Sequence, residues 1–189
     1  MNKKLTGRTG VTGSLILAIL LSVFWPAAAV QASTAAEIDA GVNAALDRLK
    51  KEVPGSPTVL KEAKGVLVFA GVIKAGFIIA GEGGEGAMRI GGKTTGYYSF
   101  IAGSVGFQAG GQKSDIIMAF LDEGALKKFQ ASDGWQAGAD AEVTMINVGA
   151  KGKIDSATLK KPIVAFVVGQ QGLMAGVSLA GAKITKLKR

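Results

Sequence analysis

Between residues 33 and 53 the apolar side chains of Ile38, Val42, Ala45, Leu46, Leu49 and Val53 recur every three or four positions, laying one stripe along a helix. Thr34, followed three residues later by Glu37, forms a capping box, and Arg48, Lys50 and Lys51 suit the negative end of the helix dipole. Pro54-Gly55 stops this helix. Ser56-Pro57 starts a shorter one, with serine as its cap and proline at its first position, running to about Lys64. After Gly65 the period changes. Residues 66–70, 77–80, 116–121 and 163–168 are short apolar runs bounded by glycine, charge or proline, the pattern of strands buried on both faces. Residues 104–108, 141–148 and 173–179 alternate more loosely, and 123–130, with Leu126 and Phe129 on one side, reads as a helix.

Glycine changes this picture, because it supplies 28 residues and Gly71, Gly76, Gly81, Gly86, Gly91 and Gly96 fall five apart. An odd interval alternates between the two faces of a strand, so these positions build no glycine stripe. They are expected as bends, bulges and turns in a tightly curved meander. The fold class expected is α+β and β-dominated. A largely antiparallel, glycine-rich sheet curves into a sandwich or barrel-like body, with amphipathic helices at the N-terminus.

The first residues have another pattern. Lys3, Lys4 and Arg8 precede an almost wholly aliphatic run over 14–25, then Pro26 and the small residues from Ala27 to Ala32. That is the order of a secretory signal peptide. The run is shorter than the roughly 20 apolar residues of a membrane-spanning helix, although an uncleaved N-terminal anchor is the alternative. Cleavage is expected after Ala32, or after Ala29, so residues 1–32 form the signal and 33–189 a single domain. The expected location is exported, periplasmic or extracellular, and peripheral to a membrane. Three of the 22 basic residues and none of the 14 acidic ones lie in the leader, so the net charge falls from +8 to +5. That excess favours an anionic partner. For an exported protein the anionic membrane surface is favoured over nucleic acid, and an envelope protein is a further partner considered.

Chemistry is limited by what is missing. With no cysteine and no histidine, disulfides, the usual zinc sites and Ser–His or Cys–His catalysis lose their residues. Residues 81–86 spell G-x-G-x-x-G after a strand, but Ala87-Met88-Arg89-Ile90-Gly91-Gly92 reads as strand and turn, not the helix a pyrophosphate needs. Glu82 and Glu85 would also repel phosphate, so the segment is expected to be a flexible hairpin connection. Ser178 lies in a stretch one residue too long for a nucleophile elbow, and no serine is followed three positions later by lysine. Glu82 and Glu85 as an acid–base pair, or Asp133 and Asp140 as calcium ligands, are weaker readings than solvated turns. No enzyme, cofactor or metal site is expected. The residues singled out instead are basic: Arg48, Lys50, Lys51, Lys61, Lys64 and Lys74, as candidates for contact with anionic phospholipid. Lys183, Lys186, Lys188 and Arg189 form a second set. The plain alternative is a solvated basic face.

Several blocks, in order, are similar to those of the SYLF domain family. They are Ala63-Lys64-Gly65-Val66-Leu67-Val68 with Lys74-Ala75-Gly76-Phe77 and Gly84-Glu85-Gly86, then residues 104–112 with Asp115-Ile116-Ile117, then Gly138-Ala139-Asp140, then residues 172–181. The resemblance runs from about Leu46 to Ile184. It implies a non-enzymatic domain that binds phospholipid, phosphoinositides in eukaryotic members, some of which also bind and bundle actin. The chain departs from the family pattern at Tyr97-Tyr98, where many members have tryptophan followed by proline, and at residues 150–153, where a Gly-Pro-x-Gly turn is usual. Export would separate this chain from the actin-binding side of the resemblance.

Overall fold

Helix α1 (Ala35–Glu52) forms where the apolar stripe predicts it, burying Ile38, Val42, Ala45 and Leu49. Its capping box is complete: Glu37 N–H donates to Thr34 Oγ1 at 3.2 Å, and Thr34 N–H donates to Glu37 Oε2 at 2.7 Å. The Thr34 N–H bond first, then one from the Thr34 hydroxyl at 2.8 Å, hold the Glu37 carboxyl pKa below its ordinary value. Helix α2 (Ser56–Glu62) follows, but Gly55 at φ 90° is its cap, and Ser56 sits one position inside. The serine hydroxyl is buried and donates to Leu49 O at 3.2 Å, tying the two helices together, so it does not cap its own.

The computed structural model describes residues 32–76, 79–105, 110–147, 154–172 and 179–189. The expected signal before residue 32, Phe77-Ile78, most of 104–108, Val148, residues 150–153 and most of 173–179 lie outside the described residues. The strands are β1 (Gly65–Gly76), β2 (Ile79–Ile90), β3 (Lys93–Val105), β4 (Gly110–Phe120), β5 (Gly134–Gln136), β6 (Thr144–Asn147), β7 (Ile163–Gly172) and β8 (Lys183–Leu187). Helix α3 (Glu123–Ala131) buries Leu126 and Phe129 as its pattern predicts. The strands form one sheet in the order β5-β8-β3-β2-β1-β4-β7-β6. All neighbours are antiparallel except β6 and β7. The expectation of a β-dominated α+β fold holds, as a curled half-barrel with three α-helices among the described residues.

Both faces are buried where residues 65–70 of β1, 115–120 of β4 and 163–168 of β7 run side by side, and period two sorts their side chains. Leu67, Phe69, Ile116, Met118 and Phe120 join Phe129, Trp135 and Phe100 on the face that α3 covers. Val68, Ile117, Ala119, Val164 and Phe166 pack under α1 and α2 on the other. The aromatic cluster has tilted or edge geometry, with Phe129 centred 5.1 Å from both Tyr98 and Phe120 and 5.6 Å from Trp135.

The glycine segment 81–86 is not a hairpin connection. It is the middle of β2, paired on both sides, with Gly83 opposite both Ile73 and Ile101. A Cβ on Gly86 would lie 2.0 Å from Val68 O, so glycine here permits close backbone approach. The turn comes later, at Gly91 and Gly92, whose φ of 56° and 78° make the two-residue loop that suits a twisted hairpin. Gly71, at φ 67°, marks a bulge in β1, as expected of that position.

Candidate anion-binding groove

Beyond the last turn of α2 the chain enters β1 through Ala63, Lys64 and Gly65. This seam between helix and sheet leaves a cavity of about 320 Å³ on the α1 face, walled by Leu46, Leu60 and Val66 and edged by Lys61, Lys64, Asn43 and Arg89, with the Gly91-Gly92 turn at one side. Each wall residue is placed by its element's period. Asn43 and Leu46 are three apart on α1, and Val66 and Arg89 stand opposite each other across β1 and β2.

Arg89 is the anchored cation of the group. Its Nη2 donates to Asn43 Oδ1 at 3.1 Å and pairs with Asp39 Oδ1 at 3.3 Å, while its buried Nε has no partner. Asp39 also accepts from Thr94 Oγ1 at 2.7 Å and from the Tyr97 hydroxyl at 3.1 Å. Burial first, then that bond to Asp39, raises the Tyr97 pKa above its ordinary 10.0. Lys61 and Lys64 are exposed. One held guanidinium and two exposed ammonium groups therefore surround a cavity with apolar walls. That arrangement can receive an anion carrying an apolar portion.

Of the six basic residues singled out in the sequence, the fold brings Lys61 and Lys64 together at this groove. Lys50 is exposed on α1 and pairs with Asp47 at 3.1 Å, and Lys51 is exposed beside it. Arg48 is committed elsewhere: it pairs with Asp115, itself only 4% exposed, which also accepts from Gly71 N–H at 2.8 Å. Lys74 is 4% exposed and opposite Glu82 and Gln112 in the neighbouring strands, remote from any surface set. Burial raises the Glu82 pKa, with Lys74 opposing it. Arg89 and Asn43 were missed. The available signal was Arg89 standing between apolar Met88 and Ile90, which in a strand points it to the opposite face. Among the described residues no group of three or more acidic side chains could hold a metal, and no helix is long and apolar enough to cross a membrane.

A curled, largely antiparallel sheet clasped by two N-terminal helices places this chain in the α+β class. Residues 101–189 match the family model described as Ysc84, Las17-binding protein actin regulator. The chain is also 31% identical over 137 residues to SH3 domain-containing YSC84-like protein 1 of Xenopus laevis, a match covering 70% of this chain and 41% of that protein. The chain thus spans less than half the length of this curated relative. It belongs to the Ysc84, or SYLF, family.

Proposed function

We propose that this chain is a non-catalytic binding module that holds an anionic phospholipid headgroup at the α1–α2–β1 seam. The observation that carries the reading is the convergence of Lys61, Lys64 and Arg89 on a cavity with apolar walls. The cations would take the phosphate, while Leu46, Leu60 and Val66 would cover the first carbons of the lipid. Each basic residue near an anionic surface is worth about 1 kcal/mol, so the attachment is reversible and salt-sensitive. The module works outside the cytoplasm, peripheral to a membrane, after removal of residues 1–32. Co-sedimentation with phosphatidylglycerol and phosphatidylcholine vesicles across a salt series tests the lipid reading. Lys61→Glu with Lys64→Glu should lower anionic partition about tenfold or more. Equal partition to both vesicles at every salt would sink it. Intact mass of the protein from the envelope fraction tests export, and a species starting at Met1 would count against it.

A second reading comes from the family. Its description names Las17-binding actin regulators, and the Xenopus relative carries an SH3 domain by name. A protein partner for this chain follows the same line, and co-pelleting with purified actin filaments checks that branch.

A further inference from the structure

Among the described residues, the α1 face of the sheet is only half covered. Helix α1 crosses the sheet from Asp39, bonded to Thr94 and Tyr97 of β3, to Glu52, which accepts from Gly169 N–H of β7 at 3.2 Å. Past that line, toward the far ends of β1 to β4, the same face carries no helix among the described residues. Ile73, Ile79 and Ile101 are 60%, 72% and 65% exposed there. Register makes this a shaped surface. Ile73 and Ile101 flank Gly83, and the next cross-strand row is Gly103, Gly81, Ala75 and Gly111. Nothing lies within 4 Å of a Cβ built on Gly81 or Gly103. Three isoleucines thus border a floor of three glycines and one alanine.

Charge frames this floor. The row through Ile73 and Ile101 continues to Lys113 on β4 and Lys183 on β8, both exposed. Neither that row nor the glycine row carries a carboxylate. Glu85 and Asp115, the acids of β2 and β4 on this face, lie on the α1 side of the rows and are engaged by Arg189 and Arg48. Asp140, at the β5 edge beyond Lys183, accepts from Gln136 N–H at 2.6 Å. Strands about 4.8 Å apart put the isoleucines about 10 Å from each other and the lysines about 19 Å apart. A helix with its side chains is about 10–12 Å across, so one helix fits between the lysines with the glycine floor beneath it. The molecule already seats one amphipathic helix on this face: Gly41 of α1 lies so close that a Cβ there would meet Ala70 Cβ at 3.1 Å.

We propose that the uncovered half of this face docks an amphipathic helix of a protein partner, with an aliphatic stripe over Ile73, Gly83 and Ile101 and acidic residues on both flanks facing Lys113 and Lys183. This surface is separate from the basic groove, and the two can fail independently.

The test uses the full chain and two labelled model helices of about five turns, each with a leucine stripe, one flanked by glutamate and the other by lysine. Fluorescence anisotropy should show binding of the glutamate-flanked helix only. Ile73→Glu with Ile101→Glu should weaken it about tenfold or more, the loss of one well-placed anchor or better. Lys113→Glu with Lys183→Glu should reverse the preference toward the lysine-flanked helix, an outcome that a merely misfolded variant does not give. Lys61→Glu with Lys64→Glu should leave helix binding unchanged. Equal binding of both helices, no binding of either, or insensitivity to the isoleucine pair overturns the proposal. So do two other outcomes: vesicle binding that depends on the isoleucine pair without helix binding, and concentration-dependent self-association abolished by that pair. They would assign the face to a membrane or to a second copy.

Discussion

Two glycines five residues apart in the same strand do different things, and a methyl group separates them. At Gly86 an added Cβ would meet Val68 O at 2.0 Å and Phe69 Cδ1 at 2.6 Å, and backbone cannot move aside cheaply. At Gly81 it would meet nothing. Gly86→Ala should therefore destabilise by about 3 kcal/mol, the upper end of overpacking costs, whereas Gly81→Ala should stay within about 0.5 kcal/mol; urea unfolding of both variants checks the contrast. Glu82 carries a different cost. The residue is 6% exposed and stands opposite Lys74, and its Oε1 has no partner; burial raises its pKa above 4.5 despite the lysine. The folded state therefore holds this proton more tightly than the unfolded chain does. Glu82's favourable contribution is complete below the unfolded value and is lost as pH rises through the folded one. The stability of the native protein relative to Glu82→Gln should thus be greater near pH 4 than at pH 7, and a pH-independent difference would refute the assignment.

At the next level, α1 is fastened at both ends to a line of irregularities in the sheet. Ser33 N–H donates to Glu85 Oε2 at 3.0 Å, Arg48 pairs with Asp115, and Glu52 accepts from Gly169. Gly71 and Gly169 are both at positive φ, 67° and 62°, where β1 and β7 bulge against β4. A Cβ on Gly169 would lie 2.7 Å from Arg48, so the bulge leaves the space that the guanidinium occupies. Arg48→Ala would strip one partner from the buried Asp115 and should cost about 1–3 kcal/mol, the penalty of an under-satisfied buried acceptor. Thr34→Ala, which removes only the N-cap, should cost about 1 kcal/mol. Thermal unfolding of the two variants should rank them in that order.

Across the whole molecule, where the charges stand separates the residues of the proposed groove from those that hold the packing. Arg48 and Lys74 belong to the packed structure, whereas Lys61 and Lys64 are exposed and line the groove. The Lys61→Glu, Lys64→Glu variant should then change Tm by less than about 2 °C, since exposed substitutions move stability little. The same substitutions should remove most of the anionic vesicle binding.

Helices α1 and α3 were legible residue by residue, because a stripe of apolar side chains at helical spacing and a polar cap are local facts. The fully apolar cores of β4 and β7 were equally plain. The length of the strands was not. Residues 81–86 carry too little side chain to show a period, and in 93–103 the adjacent pairs Tyr97-Tyr98 and Phe100-Ile101 put bulky groups on both faces, so only pairing on both sides identifies them as strand. Lysine identity was visible in the chain, but lysine role was not. Lys64 and Lys74 are ten residues apart, and the Gly71 bulge and the pleat between them set which is exposed and which is buried beside Glu82. Local patterning therefore decides which segments form helix or buried strand. Register, which depends on partners far away in the chain, decides which charges meet, which face stays open and where a ligand can sit.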